Sequence, residues 1–188
     1  SGAPYDGIDI GWGWGANDPG GNAAYFTPSR GYYNQPGNLV YDTPTTLRDT
    51  VVVGNRVHDV KQWFPDGGAI YHLSADPGAL IAENHIYDVE DGIAMYLDEG
   101  SRYVTLRNNA IGNVGVWLNL NSQNNLAPRR TAMDNLAIGN WHDSGRRTGA
   151  WTPYLNNREV DTVLVAKGAW PDAAKAVIAH AGIEPEKP

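Results

Sequence analysis

Two acidic motifs carry the clearest chemistry in this sequence, DGGAIY at 66–71 and YLDEGSR at 96–102. Breaking a glycosidic bond takes two carboxyl groups, one to protonate the leaving oxygen and one to act as base or nucleophile. Asp66 and Asp98 are the preferred pair, with Glu99 the next candidate. Asp-Gly is also a common turn pair, and Asp91-Gly92 repeats it, so Asp66 taken alone reads first as architecture. Asp98 resists that reading because its counterpart one repeat earlier is Leu73. Glu99 has an ordinary use as a partner for Arg102. Spacing does not fix the carboxyl separation, so inversion and retention both stay open.

The remaining polar groups offer less. His58, His72 and His85 read first as buried, hydrogen-bonded histidines; His72 could orient a group or shuttle a proton if its strand is distorted. No zinc spacing is present, and GWGWG lacks the helix that a phosphate loop needs. No cofactor is expected; Ca²⁺ on Asp and Asn oxygens stays open without a motif to signal it. Cysteine is absent, which excludes disulfides and thiolate metal sites.

Charge narrows the partners. The net charge is −7 with a pI near 5.1, and the densest basic sites are the pairs Arg129-Arg130 and Arg146-Arg147. A nucleic-acid partner is therefore not expected. No stretch approaches membrane-spanning length, so no membrane partner is expected either, and residues 1–20 do not read as a signal peptide. The start at Ser1 reads as a cut into a longer chain, because YDGIDIGWGWG has strand character at once.

The elements that must position these groups are short. Gly (22) and Pro (12) are frequent, Phe (2) is rare, and apolar runs are brief, which favours many strands joined by turns. Four segments share one pattern: VVVGNRVHDV (51–60), LIAENHIYDV (80–89), VTLRNNAIGNV (104–114) and LAIGNWHDS (136–144). Their aligned asparagines are Asn55, Asn84, Asn109 and Asn140, expected to take left-handed backbone at a corner and to bond from repeat to repeat. A second pattern, DGGAIYHL, DGIAMYLD and VGVWLNLN, interleaves with the first. Interleaved patterns with one shared period predict a right-handed parallel β-helix, an all-β solenoid occupying 1–170. A long loop is expected around 16–50. PDAAKAVIAHAGIEP predicts a C-terminal capping helix in 171–188, with Ala174, Val177, Ile178 and Ala181 on its buried face.

Strand alternation then sorts the side chains. Ile70, Ile93, Met95, Leu97, Val116, Leu118 and Leu120 are expected inward. Ala69, Tyr71, Leu73, Ala94, Tyr96, Asp98, Trp117, Asn119 and Asn121 are expected outward, with Asp9 outward and Trp12 and Trp14 just beyond. Tyr71, Tyr96 and Trp117 would form an aromatic row beside Asp98, Asn119 and Asn121. Such a row suits a sugar, whose rings offer C–H faces and hydroxyl edges; covering the sheet is the plainer use of the same rings.

The run GIDIGWGWG…NRVHDV…DGGAIYHLS…NHIYDV…YLDEGSR, closed by WPDAAKAVIAHAGIEP, resembles microbial parallel β-helix proteins of the pectate-lyase-like superfamily. The resemblance is to β-helix glycoside hydrolases of the fucosidase/xylanase type, which are longer than this chain. It implies a secreted protein acting on a polysaccharide or oligosaccharide, with an acidic pair mapping onto Asp66 and Asp98. It also implies missing N-terminal coils; a solenoid end left open by their loss would favour self-association, because open strand edges invite pairing. The superfamily includes lyases and noncatalytic binding proteins, so a polysaccharide lyase and a carbohydrate-binding or structural solenoid stand as alternatives.

Overall fold

A computed structural model describes residues 1–11, 47–98, 100–121, 132–149 and 151–182. Of the predicted long loop, residues 16–46 lie outside the described residues, as do Trp12, Trp14 and Glu99. The rest is a parallel β-solenoid of about 4 turns with a single C-terminal helix.

Each coil contributes one strand to a five-stranded parallel sheet, made of β2 (Val51–Val53), β5 (Leu80–Ala82), β7 (Thr105–Arg107), β9 (Leu136–Ile138) and β12 (Arg158–Val160). The chain then turns into the second sheet. That sheet holds β1 (Ile8–Ile10), β3 (Arg56–His58), β4 (Ile70–His72), β6 (His85–Leu97), β8 (Ala110–Leu120), β10 (Trp141–His142), β11 (Arg146–Gly149) and β13 (Val163–Leu164). The core is a set of columns. Val52, Ile81, Leu106 and Ala137 stack along one wall; Val57, Ile86 and Ile111 line another; Ile70, Met95 and Leu118 form a third.

The asparagine ladder exists, with separations of 29, 25 and 31 residues. Asn109 shows its logic. Its Oδ1 accepts from the Asn84 backbone N–H and Nδ2, both at 3.0 Å, while its own Nδ2 donates to Ile81 O and Asn140 Oδ1. Left-handed backbone falls one residue earlier than expected, on Gly54, Glu83, Asn108 and Gly139. The turn residue bends the chain, and the asparagine that follows is left in position to reach the next coil. Asn135 and Asn157 make a second, shorter ladder at another corner.

The predicted helix forms as α1 (Asp172–His180), with Ala174 and Ala181 buried and Val177 and Ile178 half-buried. It lies along the flank of the solenoid rather than over its end. Arg56 Nη2 donates to Ile178 O, and the Gly182 N–H donates to Gly54 O at 2.8 Å, tying the helix to the first described coil. At the other end the Trp170 ring lies against Gly112, where any Cβ would stand 3.2 Å from the indole. The small residues Ala110 and Gly112 leave that flank low enough to receive it. The last coil is covered instead by Trp151 and Leu155, which pack on the core, with Arg147 stacked on the Trp151 ring at 4.3 Å and paired with Glu159.

Beneath the helix flank His58, Tyr87 and His85 stack, with ring centroids 4.7 and 4.4 Å apart. Burial, then the charges of Arg56 and His58, pushes the His85 imidazole down to about 4, against the pull of Asp88 and Asp143. Its Nδ1 is buried without a hydrogen-bond partner. A histidine depressed in the folded state binds its proton first in the unfolded chain, so its stabilising term is full above 6.5 and lost as pH falls towards 4. His85→Phe is expected to flatten the decline of Tm across that window; curves parallel to wild type would show that His85 is not held neutral. Asn109→Ala leaves buried donors on Asn84 and a buried acceptor on Ile81 unpaired, and is expected to cost about 3 kcal/mol in denaturant unfolding.

Candidate functional site

The outer face of the second sheet carries the candidate site, and register alone builds it. Asp9, Tyr71, Tyr96, Asn119 and Thr148 occupy one cross-coil row. Two positions further along the strands, Leu73, Asp98 and Asn121 follow in step, with the Asp98 N–H donating to His72 O and the Asn121 N–H to Leu97 O, each at 2.8 Å. Because successive coils add one strand each, side chains about 4.8 Å apart come from residues some twenty-five positions apart in sequence.

Asp98 is the centre of this face. It is only 8% exposed, and both of its oxygens are taken: Tyr71 Oη donates to Oδ2 and Asn121 Nδ2 donates to Oδ1. A carboxylate withdrawn from water needs such donors to offset its lost hydration. Burial and then the Asp98 charge push the phenols of Tyr71 and Tyr96 well above their ordinary range, so both remain protonated donors. The two rings meet edge to face, centroids 5.3 Å apart. Asn119 accepts from Thr148 Oγ1 at 2.6 Å.

Asp66 is exposed, and its Oδ1 accepts the N–H of Gly67 at 2.9 Å, the turn role that Asp-Gly suggests. Its charge adds, with that of Asp98, to the upward push on the phenols of Tyr5, Tyr71 and Tyr96. Glu99, Trp12 and Trp14 fall outside the described residues. The expected partner of Glu99, Arg102, is paired with Asp134 at 2.7 Å.

Trp117 does not join the outward row. It is 1% exposed, lies in the core and stacks on His142 at 5.1 Å. Alternation fails at the bend of the sheet, because β8 holds one residue more than β11 there and the register shifts between Arg146 and Arg147. The same bend turns Ala69 and Ala94 inward and leaves the expected core residues Ile93 and Val116 half-buried outside the cluster. Leu73, expected outward, is outside the core cluster yet fully buried. His72 points inward as alternation predicts, with Nδ1 3.0 Å from Ser101 Oγ and Nε2 3.5 Å from Asp76 Oδ2, a polar cluster closed off from the outer face.

Sequence spacing missed Asp6. Its Oδ1 accepts the Gly68 N–H at 2.7 Å, and it packs so tightly on Gly67 that a Cβ there would sit 2.0 Å from that oxygen. Gly67 also has φ +86, so both space and backbone require glycine. Asp6 Oδ2 is buried without a partner, and burial, with Asp9 and Asp66 adding to it, pushes the carboxyl up to about 6. The signal was available, since Asp6-Gly7 is a third Asp-Gly pair opening an apolar strand. Lys61 donates from Nζ to Pro65 O and Gly67 O, bracing the same turn from below. Among the described residues no group of three or more His, Asp or Glu is placed to hold a metal ion.

A carboxyl raised in the folded state has the opposite linkage from His85: its stabilising term is present below 3.8 and lost as pH rises through about 6. Asp6→Asn keeps the acceptor for Gly68 and removes the ionisation, so it is expected to raise stability at pH 7 by about 1 kcal/mol, the shift being discounted for partial exposure. At pH 4 the gain should vanish. An equal gain at both values in thermal melts would place the effect elsewhere.

Comparison with models of protein families, with curated proteins and with solved structures gave no match for this chain.

Proposed function

We propose that this chain is a carbohydrate-active β-solenoid, a glycoside hydrolase whose acidic pair is Asp98 and Asp66. The observation that carries the reading is a near-buried carboxylate, Asp98, gripped by Tyr71 and Asn121 on an outer sheet face lined by Tyr96 and Asn119. Phenol, amide and carboxylate edges match sugar hydroxyls, and ring faces match sugar C–H faces. Asp98 suits the role of base or nucleophile, being held in one orientation by neutral donors. Asp66, exposed at the mouth of its turn, is the partner able to meet a leaving oxygen. Asp6 fixes the turn that carries Asp66 through its bond to Gly68 and is a positioning residue.

One observation favours a second reading, a noncatalytic glycan-binding face. Both Asp98 oxygens are already bonded within the chain, which suits holding Tyr71 and Asn121 in place as well as it suits chemistry. A lyase is less favoured, because it needs a base such as Lys or Arg beside an acidic sugar. Among the described residues, the lysine near the turn, Lys61, spends its ammonium on two backbone carbonyls.

Reducing-sugar release from a panel of neutral polysaccharides separates these readings. Hydrolysis by wild type is expected, with a loss of about a thousandfold in kcat for Asp98→Asn and for Asp66→Asn. Glycan binding without release, unchanged in Asp98→Asn, would establish the binding module; unsaturated, ultraviolet-absorbing products would establish a lyase.

A further inference from the structure

The loop between β3 and β4 presents two large aromatic rings to solvent beside the candidate site. Trp63 is 82% exposed and Phe64 57% exposed. Burying rings of this size is favourable, yet the backbone of the segment is pinned with them outward. Its backbone is tied to the N-terminal segment by four hydrogen bonds, Lys61 N to Tyr5 O at 2.8 Å, Gln62 N to Ala3 O at 3.4 Å, and Trp63 N and Phe64 N to Pro4 O at 3.1 and 3.2 Å. Lys61 Nζ closes the other side on Pro65 O and Gly67 O. Rings displayed on a pinned backbone lose little further entropy when they bind.

Tyr5 joins this patch to the site. Its ring meets Phe64 edge to face, centroids 6.0 Å apart. Tyr5 precedes Asp6, whose Oδ1 accepts the Gly68 N–H at 2.7 Å, and a Cβ on Gly68 would stand 3.0 Å from Tyr96 Cβ, so the segment carrying Tyr5 borders the strand of Tyr96. The aromatic surface is therefore continuous with the polar face, and the occupant that fits both is one extended molecule with apolar ring faces and hydroxyl edges.

We propose that Trp63, Phe64 and Tyr5 form a stacking platform for a pyranose unit of a glycan whose adjoining unit lies on the Tyr71–Asp98–Asn121 face. This rests on the glycan reading of that face and adds the subsite that would set affinity for longer chains. The platform takes over the aromatic role for which the sequence had suggested Trp117, which is buried in the core.

Trp63→Ala and Phe64→Ala are tested against wild type with short xylo-, cello- and manno-oligosaccharides, following intrinsic tryptophan fluorescence, KM, kcat and Tm. The expected result is a rise of about tenfold in Kd and KM for Trp63→Ala, with kcat little changed and Tm unchanged because the ring is exposed. Unchanged Kd and KM in both variants, on an oligosaccharide that wild type binds, would overturn the platform and leave the glycan reading standing. No binding and no turnover of any oligosaccharide by wild type would overturn both. A fall of many degrees in Tm for Trp63→Ala would mark the ring as packing and also overturn the platform.

Discussion

Asparagine side chains bonding from one coil to the next hold this fold in register. Asn55, Asn84, Asn109 and Asn140 each offer a carbonyl or an amide to the neighbouring turn, and the three further along are fully buried. A buried amide with every donor and acceptor used is stable only in one arrangement, since a slip of one residue would leave several polar groups unpaired. That constraint matters because strands of three residues carry little register information of their own. At the fifth position along the same corner the ladder meets Thr162, whose Oγ1 is buried without a partner, and the regular stacking ends there.

The candidate site depends on that register. Asp98, Tyr71 and Asn121 come from three successive coils and touch because Ile70–His72 of β4, Met95–Leu97 of β6 and Leu118–Leu120 of β8 are in matched register. Shifted by one, Tyr71 and Tyr96 would point into the core and leave Asp98 without its donors. A near-buried carboxylate lacking those donors would be costly. The architectural ladder and the polar face thus share one geometric requirement, although they lie on different sides of the coil.

Two further devices keep the coils together. The C-terminal helix runs back along the flank from Gly112 to Gly54, so the last segment of the described chain fastens the first described coil. Trp151 and Leu155 close the interior at the last coil, where Glu159 sits in the column of Val52, Ile81, Leu106 and Ala137 and is paired with Arg147. An apolar column therefore ends in an ion pair at the solvent boundary, with a tryptophan laid over it.

The sequence by itself determined the repeat, the parallel stacking, the asparagine contacts, and the helix with its buried face. These follow from local periodicity and from residue types with one structural use. It also placed Asp98 outside the core, because a carboxylate stands where the previous coil has Leu73. Tertiary structure alone decided where the helix docks, since an amphipathic face does not say which surface receives it, and the low flank at Ala110 and Gly112 exists only after the coils stack. It decided that Trp117 turns inward, because a bend and a one-residue register shift break alternation in a way no local pattern records. It brought Asp6 and Tyr5 beside Asp66, sixty positions away in the chain, because parallel coils set β1 against β4. Periodicity reports on what a residue repeats with; only the closed solenoid reports on what it meets.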